Sequence, residues 1–215
     1  MWDRDSAWLF DVFAGFYAWF TANAAWRASC RELATHLPSH ARVVVDLGCG
    51  PGVSTIEMAR QRPDAFYVGV DRAPRMLREA HRRARRSPVR WVLADAGALP
   101  FASERLDAVT GHSFLYLLGE PSRSRVLPEM RRVLRPGGRV VLMEPSARPA
   151  TLRRVLSVST DPRHLISTAL WRPFSWLHVR YTPTSLEATL RQVGFVHVET
   201  AEVLGGLGVL AWGEK

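Results

Sequence analysis

Lysine is almost absent from this sequence: of the 29 basic residues every one is arginine except Lys215, set against 20 acidic residues for a formal net charge of +9. Such a basic surface attracts nucleic acid, anionic lipid or acidic substrates without choosing among them. Net charge alone does not make nucleic acid the expected partner. Cysteine is also scarce. Cys30 and Cys49 stand in unrelated contexts without paired-Cys or Cys/His spacing, which excludes a disulfide scaffold and a zinc site and fits a reducing, cytoplasmic setting with no metal. A long charge-free apolar run is missing as well. Asp3, Asp5 and Asp11 interrupt the aromatic N-terminus, so neither a signal peptide nor a membrane-spanning helix is expected. No internal repeat occurs.

What is present is ordinary globular composition, 47% hydrophobic and 23% charged over 215 residues, enough for one α/β domain covering 1–215. From Ala7 to about Leu37 large apolar residues recur at helical spacing (Leu9, Phe13, Phe16, Phe20, Ala24), predicting one or two helices that end near Pro38. Short β-branched runs then alternate with helical stretches, the pattern of a parallel sheet built from βαβ units. Strands are predicted at Arg42–Asp46, Phe66–Val70, Arg90–Leu93, Asp107–Gly111 and Arg139–Met143. A helix over 74–86 carries Arg75, Arg78, Arg82, Arg83, Arg85 and Arg86 on a solvated face, with Met76, Leu77 and Ala80 toward the sheet. A second helix, around Leu127 to Leu134, stops at Arg135-Pro136-Gly137-Gly138. Residues 146–183 are irregular and rich in Trp, His and Arg, and Gly194–Glu202 with Leu207–Trp212 read as a closing antiparallel hairpin.

The stretch VVVDLGCGPG at 43–52 is a buried strand running into a glycine loop. Without a Cβ, Gly48, Gly50 and Gly52 let the backbone turn sharply and lay its amides against a ligand at the positive end of the next helix. Asp71 ends the next strand in VGVDRAP, where a carboxylate can accept both hydroxyls of a ribose and also cap the helix that begins near Pro74. Asp95 ends the third strand in WVLADAGALPF, where its side chain can accept from an adenine amino group while the Ala96 amide donates to a ring nitrogen. Taken in isolation, Asp95 reads first as a turn-forming residue at a strand end.

These motifs, with LDAVTGHSFLYLL at 106–118 and EMRRVLRPGGRVVLMEP at 129–145, resemble the class I S-adenosylmethionine-dependent methyltransferases, close to their quinone, lipid and small-molecule group. The resemblance runs from about residue 8 to residue 145. It implies a Rossmann-like seven-stranded, mostly parallel sheet with an antiparallel last strand and helices on both faces. It also implies S-adenosylmethionine as cofactor, with Asp46 and the loop of Gly48, Cys49, Gly50 and Gly52 at the methionine part. Asp71, with Arg72 beside it, would take the ribose, Asp95 and Ala96 the adenine, and the backbone at Gly111 and His112 the amino group. Residues 1–38 would form lid helices in which Tyr17 closes over the methionine end, although Ala18 stands where an acidic residue often follows. Residues 146–183 would form a substrate-covering insertion.

Methyl transfer from a sulfonium is an in-line displacement in which the protein chiefly aligns the partners and excludes water. Cys49 is read as packing. A base matters where the acceptor must lose a proton. The candidates are His112, Tyr116, Glu144, His164, His178 and Tyr181, of which His112, directly after the fourth strand, is best placed. Aromatic and apolar residues of the N-terminus (Trp8, Phe13, Phe16, Trp19, Phe20) and of the insertion (Leu165, Leu170, Trp171, Phe174, Trp176, Leu177) predict a wall for a hydrophobic small molecule, quinone precursor or lipid. Arg153, Arg154, Arg163, Arg172 and Arg180 suit an anionic head group or a peripheral membrane contact. The competing readings are an RNA or protein methyltransferase, a non-catalytic S-adenosylmethionine-binding protein and a dinucleotide oxidoreductase. The last is disfavoured by Asp95-Ala96.

Overall fold

The structure, a computed structural model, describes residues 23–84, 88–176 and 178–215, the side chains of 170–176 excepted. Its elements are α1 (Ala24–Thr35), β1 (Val43–Leu47), α2 (Val53–Gln61), β2 (Phe66–Asp71), α3 (Pro74–Arg83), β3 (Val89–Leu93), β4 (Leu106–His112), α4 (Glu120–Val133), β5 (Leu134–Pro145), α5 (Leu152–Val158), α6 (Pro162–Trp176), α7 (Pro183–Gln192), β6 (Val196–Val203) and β7 (Gly208–Glu214). Short 3-10 turns occupy Leu115–Leu117 and Leu204–Gly206.

The strands form one sheet in the order β3-β2-β1-β4-β5-β7-β6. All neighbours are parallel as far as β5, and β7 pairs antiparallel with both β5 and β6. This is a Rossmann-like sheet whose last strand alone runs against the rest. The terminal hairpin does not simply extend the edge: β7 inserts between β5 and β6.

Burial of both faces explains why the strands read as unbroken apolar runs. Along β5, Val140 and Leu142 join a cluster with Val126, Met130 and Leu186 from α4 and α7, while Val141 and Met143 face the opposite cluster with Leu33 and Met58 from α1 and α2. At the amino ends of the strands Asp107 accepts the amides of Arg42 (2.6 Å) and Val43 (2.8 Å) and pairs with Arg135 (2.8 Å). That fastener lies at the end of the sheet away from the glycine loop.

Several boundaries differ from the sequence expectation, and the stretch 146–183, expected to be irregular, holds helices α5 and α6. Helix α4 begins at Glu120, not near Leu127, because Pro121 sits where the first turn needs no amide and Pro128 is tolerated inside the helix. The Arg135-Pro136-Gly137-Gly138 stop signal lies within the limits of β5, where the register jumps from Leu106↔Leu134 to Ala108↔Arg139 and Gly137 takes φ +72°. Helix α3 ends at Arg83, and Arg85 and Arg86 lie outside the described residues.

Candidate active site

The loop after β1 turns through three left-handed glycines, Gly48 (φ +61°), Gly50 (φ +52°) and Gly52 (φ +78°), the last being the N-cap of α2. A side chain at Gly48 would strike the ring of Phe114, and one at Gly52 the ring of Trp91. Conformation and space together therefore demand glycine.

Behind the loop Asp46 is fully buried. Its Oδ2 accepts from Ser54 and Thr55 (2.6 Å each) and its Oδ1 from Thr110 (2.9 Å), which ties β1, the start of α2 and β4 together. Burial raises its pKa against the pull of these three hydroxyls. The carboxylate is thus turned to the scaffold and does not line the cleft beside the glycine loop.

One cleft collects most of the predicted site: Gly48, Cys49, Gly50, Asp71, Arg72, Asp95, Ala96 and His112 all line it. Asp71 is half-buried. Its Oδ2 accepts the Gly50 amide and its Oδ1 the Ala73 amide, both at 2.8 Å. Burial raises its pKa while the amides of Ala73, Gly50 and Arg72 hold it down. Asp95 is exposed at the mouth, its Oδ1 accepting the Gly97 amide (2.9 Å) and its Oδ2 standing 3.6 Å from Arg125. An ionised carboxylate has about four acceptor positions, so both acids retain capacity for ligand hydroxyl or amino groups. Burial pushes the Cys49 thiol well above its usual range, which keeps it protonated and suits packing. Gly52 and Gly111 sit behind the lining, and Tyr17 lies outside the described residues.

At the carboxyl end of β4 the cleft meets a second cavity, and Trp26, His112 and Ser113 line both. Ser113 holds a left-handed φ of +52°, uncommon for a residue with a side chain. Its amide donates to Met143 (2.7 Å), and Glu144 accepts the next three amides, Leu115 at 2.8 Å and Phe114 and Tyr116 at 3.2 Å each. Glu144 is buried, and burial pushes it up to about 8 despite those amides. It therefore pins the turn between the two spaces.

His112 is 8% exposed, and its ring packs on Trp26 at a centroid distance of 4.5 Å. Burial lowers its pKa to about 4, only partly opposed by its own backbone, so the ring is neutral at physiological pH. Its Nε2 lies 2.8 Å from Ser29 Oγ, and that hydroxyl donates its single proton to the Trp26 carbonyl at 2.7 Å. The Nδ1 atom is buried and has no hydrogen-bonding partner among the described residues.

The other base candidates separate. Glu144 and His164 line the second cavity, whereas Tyr116 and Tyr181 belong to the core under α4 and α7, with His178 edge-on to Tyr116. Of the predicted aromatic wall, the residues before Asn23 and the side chains of 170–177 lie outside the described residues. Sequence reasoning did not single out Trp26, Ser29 or Ser113. Trp26 falls off the apolar stripe that ends at Ala24, and nothing local marks Ser29. Among the described residues no group of three or more His, Cys, Asp or Glu side chains is placed to hold a metal ion, and no helix is long and apolar enough to cross a membrane.

A parallel sheet with a glycine cradle and strand-end acids around one cleft defines a nucleotide-cofactor protein. Comparison with known proteins narrows the class. A family model described as a methyltransferase domain matches residues 44–138. Demethylmenaquinone methyltransferase of Clavibacter sepedonicus is 33% identical over 202 residues, covering 88% of this chain and 79% of that protein. Trans-aconitate 2-methyltransferase of Azoarcus sp. is 35% identical over 135 residues, 62% of this chain and 51% of the relative, and the chain spans about half the length of several such curated relatives. A solved S-adenosylmethionine-dependent methyltransferase from Thermotoga maritima shares the fold, with a TM-score of 0.67 at 20% identity over 96% of this chain and 97% of the other. The chain belongs to the S-adenosylmethionine-dependent methyltransferases.

Proposed function

We propose that the chain transfers a methyl group from S-adenosylmethionine to a hydrophobic small molecule of the quinone-precursor or lipid type. The observation that carries this reading is the junction at Trp26, His112 and Ser113, where the cleft with the acids opens onto a cavity lined largely by apolar groups. S-adenosylmethionine, when bound, supplies an electrophilic methyl on a good leaving group. The residues fit it: Asp71, with Arg72 at its side, receives the ribose hydroxyls, Asp95 and Ala96 the adenine edge, and the loop Gly48–Gly52 with the Gly111–His112 backbone the methionine end. Asp46 keeps that loop in place. The segment 146–183 is the acceptor-covering insertion of a single 1–215 domain. His112, whose buried Nδ1 has no partner among the described residues, takes the proton that the acceptor gives up. A neutral imidazole of low basicity suffices there, because an acceptor hydroxyl becomes strongly acidic as it bonds to the methyl carbon.

Two curated relatives named for demethylmenaquinone and trans-aconitate support a small-molecule acceptor. Two buried free cysteines support a reducing, cytoplasmic location. Leu152 and Leu156, 71% and 41% exposed on α5 beside Arg153 and Arg154, support a peripheral membrane contact that would deliver a lipophilic acceptor. Calorimetry with S-adenosylmethionine, S-adenosylhomocysteine and NAD tests the cofactor, and binding of NAD alone would sink the reading. Incubation with labelled methyl donor and separate quinone, lipid and RNA extracts tests the acceptor. Label confined to RNA would replace it with an RNA methyltransferase.

A further inference from the structure

On the methyl-transfer reading the methyl group crosses from the cofactor cleft to the second cavity, and Trp26, His112 and Ser113 are the residues that line both spaces. Before transfer the donor sulfur carries a full positive charge, and afterwards it is a neutral thioether. The four strand-end acids do not meet that charge at the crossing. Asp46 lines neither space, and Asp71 and Asp95 line the cleft alone. Glu144 borders the second cavity, but its oxygens accept the amides of Phe114, Leu115 and Tyr116. Of the three side chains shared by both spaces, the indole of Trp26 carries the π-face that attracts a cation most strongly.

That indole is held in place. The Trp26 amide donates to Asn23 Oδ1 (2.9 Å), its carbonyl accepts the Ser29 hydroxyl (2.7 Å), and its ring packs on His112 at 4.5 Å. Burial keeps the His112 ring neutral, so it does not repel a cation beside it. Trp26 is only half-buried, although Ala25, Ser29 and Cys30 on the same helix are buried, so ring surface is left for a ligand.

We propose that Trp26 is a specificity-determining residue for the methyl donor, its indole lying against the S-methyl sulfonium and favouring the charged donor over the neutral product. A carboxylate at that point would itself be a nucleophile toward the methyl, whereas a π-face stabilises the charge without reacting. Exchange of spent product for fresh donor is thereby favoured. The inference rests on the methyl-transfer reading and adds to it the residue that senses the charge.

The test is calorimetry on the full chain with S-adenosylmethionine, its neutral carbon isostere (a CH in place of the sulfonium sulfur) and S-adenosylhomocysteine. The wild-type ratio of affinities for S-adenosylmethionine and the isostere should fall by about three- to tenfold in Trp26→Leu, and by less in Trp26→Phe, which keeps a smaller π-face. A packing role weakens all three ligands alike and leaves that ratio in place. In carbon-13 spectra the labelled methyl of bound S-adenosylmethionine should lie further upfield in the wild type than in Trp26→Leu, because the indole ring current acts on it. The inference is overturned if the ratio in Trp26→Leu stays within about twofold of the wild type, if Trp26→Phe loses as much as Trp26→Leu, or if the methyl resonance is the same in both proteins. Where Trp26→Leu does not fold, Trp26→Phe decides, since an unchanged ratio in it overturns the inference. Failure of the cofactor reading is distinct: the wild type would then bind neither S-adenosylmethionine nor S-adenosylhomocysteine, and the inference would fall with it.

Discussion

Lowering the pH from about 7.5 to about 5 should destabilise the wild-type chain by about 2 kcal/mol more than a His112→Asn variant. Burial moves the His112 pKa from 6.5 to about 4 in the folded protein. Below 6.5 the unfolded chain binds a proton that the folded chain refuses, so the unfolded state gains with every further drop in pH. The stabilisation from keeping this ring neutral is therefore complete above about 6.5 and lost as the pH falls toward about 4. At about 1.4 kcal/mol per pH unit its ceiling is about 3 kcal/mol, of which about 2 kcal/mol has gone by pH 5. Against a typical folding stability of about 5–15 kcal/mol this is a large fraction. Urea unfolding of both proteins at both pH values gives the quantity directly, provided the denaturant slope stays constant. His164, whose burial also lowers its pKa, is present in both proteins and cancels. The reasoning fails if the two proteins lose equal stability, or if the His112 ring titrates in solution with a midpoint near 6.5.

Glu144 should produce the opposite limb: its folded pKa is raised from 4.5 to about 8, so the folded chain keeps a proton that the unfolded chain gives up, and stability falls as the pH rises through that window. In Glu144→Gln the alkaline decline between about pH 6 and pH 8 should flatten, as read from thermal midpoints. Asp71→Asn keeps an acceptor for one amide but weakens the site offered to ribose hydroxyls, and should reduce S-adenosylhomocysteine affinity by at least about tenfold in calorimetry; unchanged affinity would remove the ribose assignment. Gly48→Ala combines a left-handed backbone with a clash against Phe114 and should cost about 2–4 kcal/mol in urea unfolding. A stable variant would mean that the loop is free to rearrange.

The sheet was legible because Val44 and Val45, or Val140 and Val141, are buried on opposite faces and so write an uninterrupted apolar run with turn signals at its ends. Helix α4 was only half legible, since Pro121 and Pro128 broke the periodic signal that its first turns carry. The cofactor cleft was legible because its residues fall at strand ends, where position in the chain predicts position in the fold. The second cavity was not. Ser29 and His112 are 83 residues apart and meet only because α1 packs over the end of β4, and no local pattern encodes that contact.

Four acids at or just beyond the carboxyl ends of neighbouring strands look equivalent in the sequence, and the structure separates them by what their oxygens already accept. Asp46 is sealed from solvent and accepts three hydroxyls, and Glu144 is sealed and accepts three amides. Asp46 lines neither space, so removing it acts on the loop that it anchors, whereas Glu144 anchors the turn and also borders the second cavity. Asp71 is half-open with two close amides, and Asp95 is open with one. Sealed acids set the backbone, and open acids with acceptor capacity meet the ligand. The histidines of the second cavity carry the converse feature: His112 Nδ1 and His164 Nε2 are buried with no hydrogen-bonding partner among the described residues. A site of this kind is read from the hydrogen bonds that its side chains have not yet made.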